Sequence, residues 1–239
     1  MNILTDIHCH TIASDHAYST VLELARSAEE KGLEAIAVTD HGIGMEDSPH
    51  IWHFHNLKAI PRQIGGVKIL YGCEANILNS DGALDMDNKT LSMLDIVIAS
   101  MHYPSCFEKT REDQTAAYLR ALENPYVDVL GHSGNPRLPY DIDTVLLKAK
   151  ELHKMIEINA HTFEARRQNV ERCRMIAARC KDLGVSICVN SDAHICFDVG
   201  EYTPAVAMLR ELDFPADLIA NRTFASLAEF LKPRKEICR

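Results

Sequence analysis

Short apolar runs recur along the chain at 2–7, 34–39, 67–73, 94–100, 127–131, 155–158 and 186–189, and each gives way to a polar cluster. Runs of this length with polar flanks read as buried strands. Between them the apolar positions shift to a helical period. Thr20-Val21-Leu22-Glu23 forms a capping-box pattern, with Val21, Leu24, Ala25 and Ala28 on one face and Gly32 as the stop. Further helices are expected over 110–122, 143–152, 164–183 and 204–212, with a mostly helical tail over 217–231. The stretch 47–65 is irregular, because Pro61 interrupts it.

The polar clusters follow one another at intervals of 27 to 33 residues from His8 onward, close to the ~30 residues of one βαβ unit. Strands that alternate with helices give a parallel sheet with helices outside, and the carboxyl ends of its strands face one crevice. An open sheet would string seven such ends along a line. A closed one gathers them, so the pattern predicts an α/β fold with a seven-stranded β/α (TIM-like) barrel.

Composition adds bounds. The 239 residues, 46% of them hydrophobic, suit one domain over 1–239, and no linker, low-complexity run or apolar stretch of membrane-spanning length divides them. The first strand begins at once, which points to a cytoplasmic protein, and the eight cysteines then read as thiols used as small core residues. A net charge of −9 argues against stable nucleic-acid binding through phosphates. No membrane partner is expected, and a homo-oligomer is compatible with this composition.

The chemistry lies at the strand ends. His8 and His10 are two residues apart on one strand and share a face. With His16, His41, Glu74, His102, His132, Asp192 and His194 they make nine ligand-type groups converging on one crevice. One ion takes about four to six such ligands, so nine fill two or three sites, with Glu74 placed to bridge a pair. Nitrogen and oxygen donors favour Zn²⁺, with Mn²⁺ or Fe²⁺ as alternatives, and disfavour a thiolate site. Such a cluster carries surplus positive charge and calls for an anionic substrate.

Taken together, Asp6-Ile7-His8-Cys9-His10-Thr11, Thr39-Asp40-His41, Gly72-Cys73-Glu74, His102, Gly131-His132 and Ser191-Asp192-Ala193-His194 resemble the motifs of the PHP (polymerase and histidinol phosphatase) superfamily, most closely its small stand-alone bacterial phosphatases of the YcdX type. The resemblance implies a distorted seven-stranded barrel and a trinuclear zinc centre. It assigns His8, His10, Glu74 and Asp192 to one ion, Glu74, His102 and His132 to a second, and His16, His41 and His194 to a third. Glu74, Asp192 and His194 are the residues expected nearest the chemistry.

Among the remaining candidates, Asn159 and His161 follow the sixth strand and are read as substrate-facing or structural. Arg137 and Arg167 are chosen from the cations Lys109, Arg111, Arg137, Arg166 and Arg167 as phosphate donors. His50, His53 and His55 lie in the irregular stretch and read as surface or substrate-facing loop, and His153 as a helix residue. Asp6 and Asp40 either orient ligand imidazoles or cap turns. The pattern therefore predicts a metal-dependent hydrolase of small phosphomonoesters, with a hydroxide bridging two ions as nucleophile. The alternatives are a phosphodiesterase or nuclease using the same centre, an amidohydrolase-type enzyme, which lacks its usual bridging lysine here, and a non-catalytic metal store.

Overall fold

The computed structural model of the chain describes residues 1–102 and 110–232. Its strands are β1 (Thr5–Cys9), β2 (Ala35–Val38), β3 (Gln63–Ile64), β4 (Val67–Asn76), β5 (Ile96–Ser100), β6 (Val129–Leu130), β7 (Met155–Asn159) and β8 (Ile187–Asn190). Seven of them pair in parallel in the order β1-β2-β4-β5-β6-β7-β8, and β3 adds a short antiparallel ribbon to β4. The helices are α1 (Val21–Glu30), α2 (Ile51–Asn56), α3 (Asn88–Leu91), α4 (Arg111–Glu123), α5 (Ile142–Glu151), α6 (Val170–Leu183), α7 (Thr203–Glu211) and α8 (Phe224–Phe230). No helix among the described residues is long and apolar enough to cross a membrane.

Each of the seven parallel strands contributes to two cores. Ile7, Ala37, Leu70, Ile96, Ile98, Val129, Met155 and Cys188 pack inside the barrel, where Leu227 and Leu231 close the floor. Alternate positions such as Ile36, Val38, Ile69, Val97, Ile156 and Val189 pack outward with helix residues, including Leu24, Ala28, Leu122 and Ile176. Because side chains two apart share a face, the interior rows continue upward as Leu70-Gly72-Glu74-Asn76, Ile98-Ser100-His102, Met155-Glu157-Asn159 and Cys188-Asn190-Asp192. The floor is apolar and the mouth is polar. The barrel is narrow between them: a Cβ on Gly72 would stand 2.7 Å from Thr39 Cγ2 and 2.8 Å from the Ile96 carbonyl.

The barrel is nearly closed, and side-chain amides help complete its seam. Above, Cys9 bridges Ala193, and His10 N–H donates to the Ala193 carbonyl at 2.8 Å. Below, residues 219–222 run between β8 and β1. Asn221 Oδ1 accepts from Val189 N–H at 2.9 Å, while its Nδ2 donates to the Val189 and Thr5 carbonyls at 2.8 and 3.1 Å. After a 3₁₀ turn at Ala216–Leu218 the tail is therefore α-helical only from Phe224, because residues 219–222 satisfy strand-edge groups that would otherwise be buried without partners.

Other boundaries also move. β4 continues past 73 to Asn76, since Glu74 N–H donates to the Asp40 carbonyl and Asn76 pairs with Ser100. The predicted helix over 164–183 begins only at Val170, preceded by 3₁₀ turns at Ala160–Phe163 and Arg167–Asn169. The Thr20–Glu23 capping box is present at α1. The irregular stretch holds α2, capped by His50 Nδ1 accepting from Trp52 N–H. His153 is outside a helix, at φ 55°, with its ring stacked on Phe230 at 4.0 Å.

Candidate metal centre

A bulge in β1 creates the first half of the site. Asp6 pairs with Ile36 and Cys9 with Val38, so Ile7 and His8 together oppose the single residue Ala37. The extra residue switches the parity of the strand. Ile7 fills the barrel floor, and His8 and His10 still point into the mouth above it. The turns that follow are held by aspartates. Asp40 accepts from Thr11 N–H at 2.7 Å, Thr11 Oγ1 at 2.8 Å and Ser14 Oγ at 3.0 Å, with His53 Nε2 at 3.0 Å. Asp6 accepts from Ser191 N–H at 3.1 Å and Gly200 N–H at 2.9 Å, anchoring the loop that carries Asp192 and His194. Asp192 itself sits at φ 59°, a left-handed conformation that aspartate tolerates better than most residues.

Five imidazoles surround one carboxylate. Glu74 Oε2 is 3.3 Å from His8 Nε2, 3.5 Å from His10 Nε2 and 3.0 Å from His41 Nδ1. Glu74 Oε1 is 3.3 Å from His102 Nε2 and 2.8 Å from His132 Nε2. Asp192 Oδ1 is 3.4 Å from His8 Nε2 and 3.2 Å from His10 Nε2, and these two nitrogens are 3.1 Å apart. Four donors of a tetrahedral zinc with bonds of about 2.0–2.1 Å are separated by about 3.3–3.4 Å. The five imidazole–imidazole and imidazole–carboxylate separations among His8, His10, Glu74 and Asp192 run from 3.1 to 3.5 Å.

Tautomers give a second test of fit. His8 Nδ1 lies 2.7 Å from Glu157 Oε1, His102 Nδ1 2.7 Å from Asn76 Oδ1, and His194 Nδ1 2.9 Å from the Asp192 carbonyl. His16 Nδ1 meets the Asp47 carboxylate. Each acceptor requires a proton on Nδ1, so Nε2 is the nitrogen turned toward the cluster and the one placed to bind an ion, as in metal-ligating histidines. His16 Nε2 and His194 Nε2 then face each other at 2.8 Å. Two lone pairs at that distance repel unless a cation or proton lies between them. Moreover, His10 Nδ1, both nitrogens of His41 and Glu74 Oε2 are buried without a hydrogen bond among the described residues; His41 Nδ1 is near Glu74 but badly aligned for one. Buried polar atoms rarely stay unsatisfied. Donor chemistry, spacing and orientation all fit divalent ions.

Among the described residues, donor trios lying mutually within 4.8 Å include His8, His10 and Glu74; His41, Glu74 and His102; and His10, His41 and His194. His41 thus stands between the group of His16 and His194 and the carboxylate of Glu74. His16 is the outermost ligand candidate, its side chain 48% exposed.

Burial works against charge on His8, but Glu157, Glu74 and Asp192 outweigh it and hold its pKa well above the usual imidazole range. His10 is driven the other way, to about 3, by burial and then by His41. Burial would raise Glu74 and Asp192, yet His102 and His8 hold Glu74 well below the usual range, as His8 and Arg166 do for Asp192. A metal ion at His8 Nε2 would therefore compete with a proton, whereas His10 is held toward its neutral, donor form. Affinity should fall as pH falls. Calorimetric zinc titration at pH 7 in buffers of different ionisation enthalpy should show release of about one proton or more per chain; no release would contradict this assignment.

The other candidates divide. Asn159 is buried and donates to Glu157 Oε2 at 3.1 Å and Asp192 Oδ2 at 3.0 Å, so it braces carboxylates. The His161 ring stacks near His194, with centroids 6.0 Å apart. Arg137 and Arg167 are exposed. The guanidinium that reaches the cluster is Arg166, whose two terminal nitrogens are each 3.2 Å from Asp192 Oδ2. His55 Nε2 pairs with Thr90 Oγ1 at 3.0 Å, so within the second His-x-His only His53, through Asp40, touches the surroundings of the cluster among the described residues. Lys109 lies outside the described residues. Three participants are not singled out by strand-end spacing: Glu157, Asp47 and Asn76. Glu157 and Asn76 do leave a signal, as polar residues at every second position of otherwise apolar strands.

The PHP domain family matches the chain over residues 6–171. A probable phosphatase from Caldanaerobacter subterraneus is 46% identical over 99% of this chain and 94% of its own length. This chain belongs to the PHP family. A probable phosphatase from Acetivibrio thermocellus is 45% identical over 100% of this chain and 99% of its own. Among solved structures, a histidinol phosphate phosphatase from Lactococcus lactis, complexed with zinc, L-histidinol and phosphate, has a TM-score of 0.61 at 20% identity, covering 88% of this chain and 94% of that one. A chain of an archaeal ribonuclease P bound to mature tRNA has a TM-score of 0.59 at 15% identity, covering 98% and 92%. At such identities the PHP chain shares the barrel with both, and the site must decide the chemistry.

Proposed function

We propose that this PHP protein is a phosphatase that hydrolyses small phosphomonoesters with three divalent ions, zinc in the first place, and acts in the cytoplasm. The observation that carries the reading is the convergence of imidazole nitrogens on Glu74 and Asp192, at separations that suit zinc. The 1–239 chain is read as one catalytic domain, and its full-length relatives named as probable phosphatases support the reaction class.

His8, His10, Glu74 and Asp192 would hold one ion, Glu74, His102 and His132 a second, and His16, His41 and His194 a third. When bound, the ions supply positive charge against the phosphoryl oxygens and acidify a water molecule. The chain's residues do the positioning. Glu74 presents Oε2 to His8, His10 and His41 and Oε1 to His102 and His132, so it would serve as a donor to both of the ions assigned to it. Asp192 keeps one oxygen for His8 and His10 and gives the other to Arg166 and Asn159. Arg166 uses two nitrogens on Asp192, and its guanidinium has further N–H groups free to meet a phosphoryl oxygen. His161, whose ring lies 6.0 Å from that of His194, would meet the organic part of the substrate.

Kinetics on p-nitrophenyl phosphate, sugar and amino-alcohol phosphates, bis-p-nitrophenyl phosphate and a single-stranded oligonucleotide, with Zn²⁺ and with Mn²⁺, test the reading. Turnover of at least one monoester above every diester supports it. A preferred diester, or no turnover of any substrate, overturns it.

A further inference from the structure

Glu157 is a fully buried carboxylate beside the centre, yet the ligand assignment gives it no ion. Its hydrogen bonds explain why. Oε1 accepts from His8 Nδ1 at 2.7 Å and from Asn190 Nδ2 at 2.8 Å. Oε2 accepts from the His132 backbone N–H at 2.9 Å and from Asn159 Nδ2 at 3.1 Å. A carboxylate offers about four lone-pair sites, and all of these are taken by donors. Glu157 therefore has no lone pair left for a metal ion unless one of these bonds breaks.

The four donors come from different strands. His8 belongs to β1, Asn159 to the same β7 as Glu157, and Asn190 to β8, while His132 follows β6. Asn159 carries the connection onward to Asp192 Oδ2 at 3.0 Å. One side chain thus fixes the ring of His8 and the backbone of His132, which the proposed function assigns to two different ions. We infer that Glu157 is a positioning residue that sets the His8 tautomer and couples the His8 and His132 halves of the centre, so that its loss weakens both ions together. This inference rests on the proposed metal centre.

The isosteric change Glu157→Gln separates positioning from packing. A glutamine keeps the shape but replaces one acceptor oxygen by an NH₂ donor. If the NH₂ faces His8, the ring must move its proton to Nε2, where the ligand lone pair should be. If it faces His132, the amide meets the His132 N–H and the Asn159 NH₂, and two donors go unpaired. No orientation of the amide satisfies all four partners.

The test begins with the zinc-loaded wild-type protein. Histidine ¹⁵N–¹H spectra should show His8 protonated at Nδ1 and bare at Nε2; a proton on Nε2 overturns the inference without any variant. Chelator competition then measures zinc affinity, and Glu157→Gln should bind about 10- to 100-fold more weakly, the range for loss of an outer partner of a metal ligand. Both the Glu74–His8 and the Glu74–His132 ions should be affected. Retention of both within about twofold of wild type, in a variant that keeps its fold by circular dichroism, overturns the inference. If Glu157→Gln does not fold, Glu157→Asp keeps the charge on a shorter arm and should show the same joint weakening; undiminished binding there also overturns it. A wild type that binds no zinc would instead remove the proposed centre, an outcome distinct from failure of the Glu157 coupling.

Discussion

Glu74→Ala is expected to retain about one ion and to lose phosphatase activity by about 10³-fold or more, because the chain would then lack a donor for the ions whose charge would acidify a water near the phosphoryl group. Glu74 is the only carboxylate whose two oxygens reach both His8 and His10 on one side and His102 and His132 on the other among the described contacts. Removing it would take a donor from both ions that the proposed centre assigns to it, and it leaves His8 with less compensating charge. The contrast is His16→Ala. His16 is outermost and its ring faces His194 rather than Glu74, so this variant should lose about one ion and keep the pair at Glu74. Metal content of both variants by elemental analysis, with kcat/KM on the best monoester, checks the expectation. Equal ion loss in the two would show that Glu74 does not bridge.

Phosphomonoesters are expected to exceed diesters in kcat/KM by about 10²-fold. A monoester dianion carries one more negative charge than a diester, and a unit charge about 4 Å from an opposite one gains about 4 kcal/mol at an effective dielectric constant near 20. Only part of that difference survives desolvation, and about 2.7 kcal/mol suffices for a hundredfold. The buried carboxylates Glu74, Asp192 and Glu157 do not cancel the charge of several divalent ions, so the surplus remains positive. The rest of the chain discourages a long polyanion. Its net charge is −9, aromatic residues make up 6%, and tryptophan occurs once, which leaves few stacking platforms for a strand. The barrel shared with a ribonuclease P chain makes the comparison with an oligonucleotide informative. Equal rates on p-nitrophenyl phosphate and its bis ester would show that the surplus charge does not select substrate.

What could be read from the sequence followed the physics of each signal. The barrel was legible because one polar cluster per βαβ unit is a periodic property of the chain. The nine ligand candidates were legible because histidine and carboxylate at strand ends stand out against apolar runs. Glu157 was hidden by its position: its strand is read as an apolar run, and only period two shows that Glu157 shares an interior face with Asn159. Asp47 lies in an irregular loop, where nothing local says that it will meet His16. Arg166 and Arg167 are adjacent cations on the same loop, and only the backbone, turning between two 3₁₀ segments, decides which one points at Asp192. The β1 bulge was likewise invisible, since a strand's parity depends on its pairing with β2.

The most direct measurement is the metal content of the purified, catalytically active protein by inductively coupled plasma mass spectrometry, repeated after chelation and after reconstitution with zinc. The account predicts a metal content approaching three ions per chain, loss of turnover on chelation and its return with zinc. Full activity at one ion or fewer per chain would contradict it.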